Sequence, residues 1–124
     1  MNHFILPELV EGENEEQWGE LAFQFIQRVT ANEYNLHLYT DAPDQVITLI
    51  AFALGWDQDR LEDAFTGKDA LASLELFVAA QAFSRQVTVW HLPVEGEPPK
   101  RWYRDEVYEH VDRMKGENRD PDSN

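Results

Sequence analysis

The sequence predicts a small α/β layer protein, with helices packed on a three-stranded sheet and a parallel βαβ unit at its N-terminus. Three observations predict it. Strand-like runs occur at His3 to Leu6, Asn35 to Thr40 and Gln86 to Leu92; an amphipathic helical stripe separates the first two; and the stretch from Gln45 to Trp56 is apolar nearly all the way round. A chain of 124 residues fits one domain, and 43% hydrophobic residues supply a core. The expected division is a single domain over residues 1–115 and a disordered acidic tail over 116–124, GENRDPDSN, which has nothing to bury.

Taken in order, His3-Phe4-Ile5-Leu6 is stopped by Pro7, which lacks the backbone donor a ladder needs. Asn14 stands three residues before Gln17 in a capping-box spacing, so a helix is expected to start there. Trp18, Leu21, Ala22, Phe25, Ile26 and Val29 follow at the spacing of a helix lying on a sheet. In NLHLYT, residues 35–40, Leu36 and Leu38 alternate with His37 and Tyr39, which is the period of a strand. Asp41 is the expected cap of the next helix, with Pro43 and Asp44 in its first turn, where a missing N–H costs nothing and a carboxylate meets the positive dipole end. That helix, QVITLIAFALGW, runs to roughly ten residues, far short of the about 20 a membrane span needs, so it is the centre of the core.

Gly55 can stop this helix, Asp57 can cap a short one carrying Leu61, Ala64 and Phe65, and Gly67 can close it. From about Asp69 to Phe83 a further helix carries Leu71, Leu74, Phe77, Val78 and Ala82 on one stripe and Leu76, Ala80 and Phe83 on another, so it is expected to be mostly covered. QVTVWHL, residues 86–92, is apolar on both faces, which suits a central strand. Pro93 ends it, and the last helix is expected near Arg101, with Tyr103, Val107, Val111 and Met114 at helical spacing and Arg113 and Lys115 suited to its C-terminal end. The order is written β-α-β-α-α-β-α. A strand, helix and strand within about forty residues form a right-handed unit, so the first two strands should be parallel.

Chemical motifs are sparse. His3, His37, His91 and His110 show no HExxH or HxH spacing, the serines lie in no GxSxG context, and the glycines form no phosphate-binding loop. There is no cysteine, so disulfides and thiolate metal sites are excluded. No cofactor and no metal are expected. The strongest remaining feature is charge: 24 acids against 10 bases give −14, which makes nucleic acid and anionic membranes poor direct partners. The charge is also lopsided, since Met1 to Asp59 holds 11 acids against Arg28 alone, a net of −10, while the rest of the chain has 13 acids against 9 bases, a net of −4. The opening residues lack a basic region followed by a long apolar one, so no signal peptide is expected and a cytoplasmic setting is.

Two acidic clusters follow from the spacing. Glu8, Glu11, Glu13, Glu15, Glu16 and Glu20 lie before and in the first turns of the first helix, and Asp57, Asp59, Glu62, Asp63 and Asp69 surround the short one. Acids at helix N-termini complement the dipole and keep a surface soluble, which is the plain structural account. The functional account is that carboxylates spaced along helices imitate a phosphate array and dock on a basic groove of a partner protein. On that account the partner-binding residues are Glu11, Glu13, Glu15, Glu16, Glu20, Asp57, Asp59, Glu62 and Asp63, with a secondary aromatic and basic surface at Arg101, Trp102 and Arg104 that can also simply anchor the last helix.

The opening strand HFIL, the strand NLHLYT and then TDAPDQVITLIAFALGW, with a helix between the strands, resemble the chi subunit of bacterial DNA polymerase III over about 55 residues. Where that family ends its helix in a Leu-Trp pair, this chain has Leu54-Gly55-Trp56. The resemblance implies a non-enzymatic accessory subunit of a nucleic-acid-processing assembly. The acidic first half departs from that family's task of binding an acidic tail of single-strand-binding protein, so no site residue is carried across. The expected function is therefore a small acidic non-enzymatic protein that docks on a basic, nucleic-acid-binding surface of a partner and inhibits it, as phage-encoded inhibitors, nucleic-acid mimics and immunity proteins do. The alternatives are the accessory subunit and a small hydrolase in which His37, His91 or acidic groups converge in a pocket.

Overall fold

The computed structural model describes residues 3–7, 15–31, 36–109 and 111. Glu8, Glu11, Glu13, Asn14, Asn35, His110, Arg113, Met114, Lys115 and the tail 116–124 lie outside the described residues. The elements are β1 (His3–Ile5), α1 (Glu15–Ala31), β2 (Leu36–Tyr39), α2 (Gln45–Ala53), α3 (Gln58–Thr66), α4 (Ala70–Ser84) and β3 (Val87–Trp90), and then α5 over residues 104–109. The α/β class, the three-stranded sheet and the parallel N-terminal unit are as expected; three helices separate β2 from β3, because the short α3 counts as an element of its own.

The strand order is β1-β2-β3 and both pairs are parallel, with Phe4 opposite Leu38 and Leu38 opposite Val89. Parallel crossovers are right-handed, and both here step in the same direction, so the connecting helices fall on one face of the sheet. Phe4, Leu36, Leu38, Val87 and Val89 point into that face and are buried. Phe25 of α1 joins the layers, its ring 5.8 Å from Phe4 and 5.3 Å from Phe83 of α4. The alternate residues are left on the other face, where His3 and Ile5 are exposed and His37, Tyr39, Thr88 and Trp90 are half-buried. Parallel sheets are ordinarily covered on both sides. Here the rings cover one another instead: Tyr39 stacks on Trp90 with centroids 6.4 Å apart, and the Trp90 indole N–H donates to His37 Nδ1 at 3.0 Å.

The apolar α2 is the centre of the core, with Val46, Ile47, Leu49, Ile50 and Ala51 buried and Phe52 stacked on Trp18 of α1. Its start differs from expectation. Asp41 does not cap it; the Asp41 carboxylate accepts from the Leu92 N–H at 3.1 Å and so ties the end of β2 to the chain leaving β3. The helix is entered through a tight turn, in which the N–H groups of Gln45, Val46 and Ile47 donate to the carbonyls three residues earlier. By contrast, Asp57 caps α3 by accepting from the Arg60 N–H at 3.0 Å, and Gly67 closes it at φ 80°, a conformation costly for any residue with a Cβ.

Four further expectations need correction. β3 is the last strand, not a central one; its outer edge is closed by residues 100–102, where the His91 N–H donates to the Lys100 carbonyl and the Trp102 N–H to the Val89 carbonyl. That use of the chain delays α5 to residue 104 and leaves Tyr103 exposed, while Val107 and Val111 are buried. Ile26 of α1 is exposed rather than part of the buried stripe. Helix α4 is not mostly covered either: Ala72, Ser73, Leu76, Phe77 and Ala80 are buried, but Leu71, Leu74 and Val78 are 64%, 50% and 57% exposed. α4 meets α2 and α3 on one side only, and its apolar residues extend right round the cylinder.

Candidate protein-binding surface

The described part of the first acidic cluster, Glu15, Glu16 and Glu20, meets the second in space. A Glu15 carboxylate oxygen accepts from the Gln58 N–H at 3.0 Å, so a side chain in the first turn of α1 satisfies a donor at the start of α3, 43 residues on. The reason lies in the core: Trp18 packs on Phe52 near the end of α2, and the short turn through Gly55 and Trp56 brings the α3 N-terminus back beside it. Glu15, Glu16, Asp57 and Asp59 therefore share one exposed region. Glu20 continues it one turn along α1, and Glu62 one turn along α3; both are exposed. Asp63 is half-buried. The one cation within the α3 sequence, Arg60, is already engaged, lying over the Trp56 ring at 4.5 Å and paired with Glu75 of α4.

Beside this region lies an acidic cleft of about 510 Å³ between α2, α3 and α5. Asp44, Glu62, Glu106 and Glu109 stand round it, and Ile47, Leu61, Phe65 and Val107 contribute apolar wall. Two of these acids have local duties: Asp44 occupies the position before α2, and Glu106 accepts from the Tyr103 N–H at the start of α5. Sequence reading picked out Glu62 alone. The others come from the turn before α2 and from α5, and carry no spacing signal that joins them.

The secondary surface divides. Trp102 is half-buried, its indole N–H donating to the Thr40 carbonyl at 2.9 Å and its ring stacked on His91 at 3.8 Å, so it anchors the chain at the end of the sheet. Arg101 and Arg104 are exposed, and the Arg104 guanidinium lies 5.4 Å from the centre of the Tyr108 ring.

No family model, curated protein or solved structure matches this chain. The geometry is therefore what the functional reading rests on.

His37 and His91 are placed apart. His37 takes the Trp90 N–H and lies 6.0 Å from the His3 ring on the bare sheet face, whereas His91 stacks on Trp102 beyond the end of β3. A cleft of about 540 Å³ does open at the C-terminal ends of β2 and β3, where open α/β sheets commonly receive ligands. Tyr39, Asp41, His91 and Lys100 line it, but Asp41 is held by the Leu92 N–H and the His91 ring by Trp102. Among the described residues no three His, Asp or Glu side chains are grouped to hold a metal ion, and no helix is long and apolar enough to cross a membrane.

Proposed function

We propose that this chain is a small acidic, non-enzymatic binding protein that docks on a basic, nucleic-acid-binding surface of a partner protein and inhibits it. The observation that carries the reading is the Glu15 to Gln58 hydrogen bond, which joins two acidic clusters distant in sequence into one surface on a rigid core. Fixed carboxylates on packed helices present charge without first paying to order it, and their summed field steers a cationic partner into contact. The neighbouring cleft adds shape: apolar walls suit the aliphatic stem of a lysine or arginine, and the surrounding carboxylates suit its head. The net charge of −14 opposes direct binding to nucleic acid or an anionic membrane, so the partner is a protein. The exposed stripe on α4 favours a second reading, an accessory subunit held in a lasting assembly by apolar contact.

Capture from lysate, with elution by rising salt, tests the first reading against the second. Basic nucleic-acid-binding proteins should be retained by the native chain, released by salt, and lost when Glu16, Glu20, Asp59 and Glu62 are changed to lysine. These four are exposed and carry no ion pair among the described residues, so the changes break no pairing, and Glu16 and Asp59 each give up only the helix-dipole contribution of about 0.3–1 kcal/mol. Retention that ignores both salt and charge reversal would favour the accessory subunit.

A further inference from the structure

We infer that the apolar groove between α4 and the turn joining α2 to α3 is the seat for an amphipathic, basic helix of the partner. The inference rests on the acidic-docking reading above and deepens it by naming the partner's recognition element. Leu54, Trp56, Leu74 and Val78 line a groove of about 560 Å³, with the Arg60 to Glu75 ion pair on its wall. On α4 the exposed residues Leu71, Leu74 and Val78 recur at i, i+3 and i+7, a straight row along the helix. A helix laid in such a groove contacts it through its own i, i+3, i+4 and i+7 positions, which makes a helical occupant the natural geometric match.

Charge decides what kind of helix. Arg60 stands over Trp56 and is paired with Glu75, so the groove wall is neutral within itself. Two exposed acids flank the groove residues in sequence, Asp57 directly after Trp56 and Asp59 directly before Arg60, and Gln58 between them holds Glu15; none of the three acids has a cation paired with it among the described residues. A second copy of this chain would bring its own −14 charge and the same carboxylates to that flank, which repels it. A helix with leucine-like residues on one face and lysine or arginine on the others satisfies both parts, apolar anchors on α4 and cations for the flanking acids.

The probe is a fluorescently labelled synthetic peptide of about 18 residues, long enough to form a helix on binding, with leucines at i, i+3, i+4 and i+7 and lysines between. A control peptide has the same composition with the leucines scattered. The native chain should bind the amphipathic peptide at least about tenfold more tightly than the control, and Leu74→Ser with Val78→Ser should abolish that preference, as expected for two exposed apolar side chains losing their cover. Leu71→Ser provides a second, more exposed site at which to weaken the same preference. Glu16→Lys with Asp59→Lys should weaken both peptides alike. If the serine variants keep the preference, the groove is not the seat and the inference falls, while the docking reading stands. If the lysine variant binds both peptides as the native chain does, the docking reading falls and the inference with it. If sedimentation shows a native dimer that the serine changes dissociate, the occupant is a second copy and the inference is overturned.

Discussion

Tyr108 is the residue where burial and chemistry most plainly compete. It is 3% exposed, and its hydroxyl has no hydrogen-bond partner among the described residues. Burial pushes the phenol well above its ordinary value of 10, with the nearby Arg104 guanidinium acting weakly the other way. Above about pH 10 the unfolded chain releases this proton while the folded chain keeps it, so the folded state binds more protons and stability must fall as pH rises, by up to about 1.4 kcal/mol per pH unit. Tyr108→Phe removes that dependence and, because no hydrogen bond is lost, should change stability at neutral pH by less than about 1 kcal/mol. Urea unfolding of both proteins from pH 7 to about 11 checks this; parallel curves would show that the phenol ionises as freely in the folded chain as in the unfolded one. Other single residues were legible in advance to different degrees. Asp57 and Gly67 act within their own helix and were foreseen from local sequence. Asp41 was not, since its acceptor role answers a donor 51 residues away.

At the scale of elements, helix α4 shows where periodicity stops informing. Apolar residues at nearly every position identify a helix in contact with much, but they do not say whether the cover comes from this chain or from another molecule. Leu76 faces inward and is fully buried, and Leu74 faces out. Leu76→Ala should therefore cost about 2–5 kcal/mol of stability, whereas Leu74→Ser should cost under about 1 kcal/mol. Equal losses in thermal unfolding would mean that the outward row is packed in solution. β3 misled for a related reason. Its two apolar faces were read as the mark of a central strand, yet Val87 and Val89 face the helices while Trp90 rests on Tyr39 and His37 across the bare side of the sheet. Aromatic residues shielding one another on an open face produce the same pattern as burial under a second layer.

For the whole molecule, class, parallel pairing and core centre could all be read from the chain, because strand runs, caps and the apolar α2 agreed with one another. The placing of Glu15, Glu16, Asp57 and Asp59 at the starts of α1 and α3 could also be read. Their union could not, since it depends on where the α2 to α3 turn places Gln58, and neither could the share that Asp44, Glu106 and Glu109 take in the adjoining cleft. With the crossover helices on one side of the sheet, the N-terminal ends of α1 and α3 converge and place exposed carboxylates in one region. Competition with duplex DNA tests the account most directly. A partner captured by this chain should release it as DNA is added, and should lose DNA as the chain is added, with both effects absent when Glu16, Glu20, Asp59 and Glu62 are reversed to lysine. A complex in which partner, DNA and this chain are all bound together would contradict it.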